Sequence, residues 1–160
     1  MPAKKLACEK EVNQSYRLKL SIQYAGSVRI APLTERGLRA IAKASLESNF
    51  DVTIRFVPRA EAQALNHSYR ARSYTPNVLT FSYLPQASAD IVICTPVVRE
   101  QAKEQGKTFA GHLAHLVVHG MLHAQGYDHQ SDCQARAMES REQAILAGFG
   151  IADPYRVAPK

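Results

Sequence analysis

Residues 16–57 read YRLKLSIQYAGSVRIAPLTERGLRAIAKASLESNFDVTIRFV, and the change of period along them decides the architecture. Tyr16, Leu18, Leu20, Ile22 and Tyr24 alternate with Arg17, Lys19, Ser21 and Gln23, which is the pattern of a half-exposed strand. Leu38, Ile41, Ala42, Ser45 and Leu46 then recur at helical spacing behind Thr34, a suitable N-cap. Asp51 to Val57 returns to strand character. A strand, a helix and a strand in that order favour a parallel crossover, because parallel neighbours need a long connection between them.

Outward from that unit, Pro58 can open a second helix with Ala62, Leu65 and Tyr69 as its apolar stripe. Asn77 to Tyr83 and Asp90 to Cys94 predict two further strands, joined as a hairpin across the turn-prone residues Pro85 to Ser88. Val97 to Gln105 reads as a helix that stops at Gly106. Thr108 starts a helix that is apolar almost all round through Gln125, so it is expected to be a buried central element. Ser131 with Gln134 fits a capping box at the start of a last helix through Ala135, Met138, Ile145 and Phe149. The expectation is an α/β (α+β mixed) single domain, with a small mixed four-stranded sheet packed against about five helices. It spans 15–155, with 1–14 as a flexible tail and 156–160 as a C-terminal tail.

The chain has 160 residues, 46% hydrophobic and 21% charged. A chain of that size buries roughly two-thirds of its unfolded surface and needs neither disulfides nor a metal merely to fold. Cys8, Cys94 and Cys133 are odd in number and widely spaced, which argues against a disulfide framework, and Cys94 sits in an apolar run as a small hydrophobe. No apolar run approaches a membrane span and no secretory leader is legible, so the expectation is a cytoplasmic protein without a membrane partner. Twenty Lys and Arg against fourteen Asp and Glu give a formal charge of +6 and make polyanions plausible partners.

Five of the six histidines, His112, His115, His119, His123 and His129, crowd into one segment. On a helix the first four project within roughly an 80° sector. His119 and His123 are one turn apart, so two ring nitrogens can meet one cation, and Gly126 can reverse the chain so that His129 supplies a third. His112 lies about 16 Å along the axis from His123, too far to share that ion. His115 offers an alternative pair with His119 but is chiefly expected to pack or to support a ligand. Cys133 could close the coordination shell, and Asp128 is expected to shape the turn or accept a hydrogen bond rather than bind the ion. Three neutral nitrogens suit one zinc ion, with another divalent transition metal possible. Three protein ligands also leave a coordination position open, as catalytic rather than structural zinc does.

The spacing HxxxHxxGxxH from His119 to His129 resembles that of a large class of zinc peptidases, HExxHxxGxxH. Their glutamate is the general base, and Gly120 stands in its place here. Met138 is a poor equivalent of their downstream methionine turn, since it falls in a helical apolar stripe.

HLVVHGMLHAQGYDH, from His115 to His129, closely resembles the signature of the YbeY family of endoribonucleases involved in ribosomal RNA maturation. LNHSYRARSYTPNVLTFSY (Leu65 to Tyr83), ADIVIC (Ala89 to Cys94) and the DPY of Asp153 to Tyr155 agree with that family in order. The resemblance implies that His119, His123 and His129 are metal ligands and that Arg70 is a functional arginine, suited to binding a phosphate bidentately. Pro76 stands before Asn77 where the family typically has Thr, with Thr75 one place earlier. The implied activity is metal-dependent, single-strand-specific cleavage of RNA in ribosomal RNA maturation and ribosome quality control, with Arg70, His119 and His123 as catalytic residues. Single-stranded RNA, ribosomal RNA and the ribosome or its small-subunit proteins are the implied partners. Arg70, Arg72, Tyr69 and Tyr74 bring cations and stacking faces close together in sequence, although Tyr69 could equally be core. The alternatives are an RNA-binding ribosome assembly factor with a structural metal, and an atypical zinc peptidase lacking the usual glutamate.

Overall fold

Alternation and helical spacing are realised in the order β1 (Leu18–Tyr24), α1 (Glu35–Ala44), β2 (Phe50–Val57), α2 (Arg59–Arg70), β3 (Val78–Ser82), β4 (Ser88–Cys94), α3 (Thr95–Glu104), α4 (Phe109–Ala124) and α5 (Asp132–Ala147). The computed structural model describes residues 15–156, so the expected tails, Arg156 apart, and Cys8 lie outside the described residues. The sheet is mixed and four-stranded, ordered β1-β2-β4-β3. β1 pairs in parallel with β2 from Leu18 opposite Phe50 to Tyr24 opposite Phe56, the crossover expected through α1. β4 joins the far side of β2 in parallel, and the β3–β4 hairpin makes β3 an antiparallel edge.

Alternation divides the sheet into two faces. Leu20, Val52, Ile54, Phe56, Ile91 and Ile93 point to one face and form the main core with Leu38 and Ile41 of α1 and Leu113, Val117 and Met121 of α4. Val57, Leu79, Val92 and Cys94 point to the other, where Ala62 of α2 and Val97 of α3 cover them. The buried Cys94 belongs to this smaller cluster, as its apolar neighbours suggest. Among the described residues no helix is long and apolar enough to cross a membrane.

Caps fix the helix starts. Thr34 accepts from the Gly37 N–H at 3.0 Å, Thr108 accepts from the Gly111 N–H at 3.1 Å, and Ser131 and Gln134 form the expected reciprocal capping box. α4 buries ten of its sixteen residues, as an all-round apolar helix must.

Two aromatic expectations are corrected. Tyr69 is 71% exposed, because α2 buries only the narrow stripe containing Ala62 and Asn66 and its last turn leaves Tyr69 edge-on to Phe81. Phe149 is exposed beyond the end of α5, which stops at Ala147 with Gly148 as C-cap.

His112 is buried with Nε2 at 3.1 Å from Gln101 Oε1, and burial, followed by the nearby charges of His115 and Lys107, pulls its pKa down from 6.5 to about 4. Below pH 6.5 the unfolded chain takes up a proton that the folded chain resists, so stability falls until the folded His112 itself titrates. The loss predicted between pH 6.5 and 4 is at most about 3 kcal/mol. Urea denaturation across that range should show it, and His112→Gln should flatten the slope.

Candidate metal centre

The C-terminus of α4 is closed by a reversed turn. Gly126, at φ +104°, donates to the His123 carbonyl at 3.0 Å while Tyr127 N–H reaches the Leu122 carbonyl at 3.0 Å, the paired bonds of a Schellman ending. The chain therefore doubles back, and His129 arrives over the last helical turn. Ring centroids lie 4.6 Å apart for His119 and His123, 4.9 Å for His123 and His129, and 5.8 Å for His119 and His129. One nitrogen from each ring lies within 4.8 Å of the others, so the three histidines form a group able to hold a metal ion.

Hydrogen bonds decide which nitrogen each helical histidine offers. His119 Nδ1 lies 2.6 Å from Glu142 Oε1 on α5, and His123 Nδ1 lies 2.9 Å from the Tyr127 carbonyl. A carboxylate and a carbonyl can only accept, so both Nδ1 atoms carry a hydrogen, and in the neutral ring this leaves the lone pair on Nε2. The donor set fits a divalent transition metal: three imidazoles close together, two of them with their far nitrogens anchored. Burial, then the neighbouring His119, pushes the His123 pKa down, which favours the neutral form a metal requires.

Glu142 is fully buried. Burial alone would raise its pKa, but hydrogen bonds from His115, His119 and Tyr155 bring it down to about 2. His115 Nε2 lies 3.0 Å from Glu142 Oε2, and the Tyr155 hydroxyl donates to the same oxygen. Sequence reasoning overlooked both Glu142 and the Tyr155 hydroxyl as supports of the site. A signal existed: Glu142 follows Met138 by four residues and precedes Ile145 and Leu146, so an acid stands in the buried stripe of α5. His115 supports rather than joins the histidine trio, although His115, His119 and Glu142 form a second group with metal-binding spacing.

The remaining residues fall as follows. His112 stays with Gln101, away from the trio. Asp128 shapes the turn by accepting from the His129 N–H at 2.7 Å. Cys133 is exposed and belongs to neither metal-binding group found among the described residues. Tyr127 is pinned by Glu47 at 3.2 Å, which Arg141 also holds at 2.9 Å, so the returning loop is tied to α5.

Arg70 ends α2, where Ala71 adopts a left-handed conformation at φ 51°. That geometry costs an L-residue about 1–2 kcal/mol. Buried Asn66 restrains the turn by donating to the Tyr74 carbonyl at 2.9 Å and accepting from the Arg72 N–H at its own carbonyl. Arg70 Nη2 donates to the Thr80 carbonyl at 3.2 Å. The Thr80 hydroxyl would lie 3.5 Å from a Cβ added at Gly120, the residue after His119. Arg70 is thus tied to the strand residue that packs beside α4, the helix carrying His119 and His123. Ser82, two residues on, donates to the Ala124 carbonyl at 2.8 Å.

Residues 10–150 match the family model described as Endoribonuclease YbeY. The chain belongs to the YbeY family of endoribonucleases. It is 44% identical over 140 residues to the Endoribonuclease YbeY of Methylibium petroleiphilum, covering 86% of this chain and 94% of that relative. It is 48% identical over 142 residues to that of Thiobacillus denitrificans, covering 86% and 96%. A solution structure of a Thermotoga maritima protein shares the fold at a TM-score of 0.56 and 24% identity, covering 86% of this chain and 99% of that one. Within this YbeY chain Gly120 has a local explanation: an added Cβ would lie 3.1 Å from Ile91 Cγ2, so the position where zinc peptidases carry their base faces the sheet.

Replacing Glu142 by Gln keeps its size and removes its charge. Loss of this anchor predicts a 10–100-fold weaker metal affinity, measured by competition with a chromophoric chelator, while far-ultraviolet circular dichroism stays that of the parent.

Proposed function

We propose that this chain is a metal-dependent, single-strand-specific endoribonuclease acting in ribosomal RNA maturation and ribosome quality control. Zinc is the proposed ion, held by His119, His123 and His129, and Arg70, His119 and His123 are the proposed catalytic residues. The observation that carries the reading is the anchored pair of Nδ1 atoms on His119 and His123 beside His129, in a chain of the YbeY family.

A divalent transition metal bound there supplies Lewis acidity for a phosphoryl group. The protein's own part is positional and electrostatic. Glu142 and the Tyr127 carbonyl keep two imidazoles in the ligating tautomer. Both Glu142 oxygens are occupied by His115, His119 and Tyr155, so this carboxylate acts as a holder and not as the base that deprotonates a nucleophile. Arg70 uses one N–H on the Thr80 carbonyl, and its other donors are available to grip a phosphate and balance charge developing on its oxygens. The formal charge of +6 favours association with RNA. The proposed partners are single-stranded stretches of ribosomal RNA and the ribosome or its small-subunit proteins, in the cytoplasm.

The competing readings separate experimentally. His123→Ala is expected to lose stoichiometric metal and cleavage of single-stranded RNA together; cleavage that survives complete metal loss overturns the proposal. Arg70→Ala is expected to lower turnover by about 10²-fold while single-stranded RNA still binds. RNA binding lost on that substitution, with no turnover in either protein, identifies an assembly factor instead. A peptidase is disfavoured because Gly120 supplies no base and faces Ile91.

A further inference from the structure

β3 presents a free edge beside the histidine trio. Tyr83 N–H bonds the Ser88 carbonyl and Cys94 N–H bonds the Asn77 carbonyl, so the odd-numbered residues of this strand pair with β4. The backbone groups of Thr80 and Ser82 therefore point outward, and Arg70 takes the Thr80 carbonyl. The two faces that meet along this edge differ. Thr80 and Ser82 turn toward α4, whereas Phe81 shares the opposite face with Asp90, its cross-strand partner.

α2 covers only one end of that opposite face. At the uncovered end lies a shallow cleft of about 270 Å³ whose lining includes Lys19, Asp51, Tyr83 and Asp90. Two exposed aromatic rings flank this end of β3. Tyr69, 71% exposed, stands edge-on to Phe81 with centroids 5.4 Å apart. Tyr83, 48% exposed, is held by its hydroxyl, which donates to Asp90 Oδ2 at 2.7 Å. Both rings are thus positioned by the fold while much of their surface remains in water. Scattered exposed aromatics are ordinary, but two positioned rings along the strand whose Thr80 carbonyl holds the proposed phosphate-binding arginine are what an unpaired nucleic-acid strand requires: π-faces for bases and a cation for the backbone.

We propose that Tyr69 and Tyr83 form a stacking subsite for unpaired bases next to the scissile phosphate, the strand bending round the β3 edge at Arg70. The inference rests on the endoribonuclease reading of the histidine site and adds the residues that select single strands. Charge decides which part of the nucleotide occupies the open face. Asp51 and Asp90 outnumber Lys19 in this lining and so disfavour phosphates there, yet their carboxylates can accept hydrogen bonds from base amino groups, so the bases lie on the face and the backbone follows Arg70 and Arg72. A duplex hides its base faces by stacking and is too wide to bend round a single strand edge, so it is excluded.

The test uses the full chain with its metal bound and a single-stranded RNA oligonucleotide carrying a mapped cleavage site. Tyr69→Ala and Tyr83→Ala are each expected to raise KM about tenfold with kcat little changed, whereas Tyr69→Phe, which keeps the ring and its edge contact with Phe81, stays within about twofold of the parent. Abasic substitutions beside the cleavage site should weaken binding and cleavage by the parent but not by the doubly substituted Tyr69→Ala/Tyr83→Ala protein. Fluorescence anisotropy on the His123→Ala background reads binding without cleavage. If binding shows the tyrosine and abasic dependence while the parent never cuts RNA, the stacking subsite stands and the nuclease reading falls. Unchanged KM and binding in both alanine variants, or an abasic penalty that persists in the double variant, overturns the subsite. Failure of the parent to bind single-stranded RNA overturns both.

Discussion

One buried carboxylate ties the working end of the molecule together. Glu142 of α5 accepts from His119 and His115 of α4 and from the Tyr155 hydroxyl beyond α5, leaving neither of its oxygens unpaired. An ionised carboxylate withdrawn from water costs several kcal/mol, and only close charge-assisted hydrogen bonds offset it. The cluster is consequently demanding. It fixes the packing of α5 against α4, the tautomer of His119 and the course of the C-terminal segment at once. Gln143 and the Tyr155 N–H both bond Asp153, which restrains that segment independently.

The second constraint is the reversed end of α4. A residue with positive φ at Gly126 turns the backbone over the helix it has just left, and the carbonyl of Tyr127 meets His123 in the same turn. Turn and tautomer are thus set by one piece of backbone. Glu47, between Arg141 and Tyr127, joins this loop to α5. The histidine trio is built on a rigid helix and a clamped loop, which suits a centre whose ligands must be held before an ion arrives.

The histidine spacing it shares with zinc peptidases coexists with different surroundings. Gly120 lies against Ile91 and Thr80, so the helix approaches the sheet where those enzymes carry a carboxylate. The polar groups nearest the histidines instead come from α5 behind them, and Arg70 is held at the β3 edge. Membership of the YbeY family, the positive charge of the chain and the arginine beside the edge strand agree with a phosphodiester as the bond acted upon.

Much of this was legible in the residues alone. The β1-α1-β2 unit, the hairpin, the buried α4, the capping box at Ser131 and the turn at Gly126 all follow from short-range patterns, because alternation, helical spacing and cap chemistry act over a few residues. The grouping of His119, His123 and His129 was legible for the same reason, their separation being one helical turn and one reversal. Tertiary structure alone decided that Glu142 holds His119 across 23 residues of sequence, that Tyr155 reaches the cluster across 40 residues from His115, and that Tyr69 lies outside the core. Periodicity tells which face of an element turns inward but not which side chain of another element it meets there, and a buried charge finds its partners only once the layers have packed.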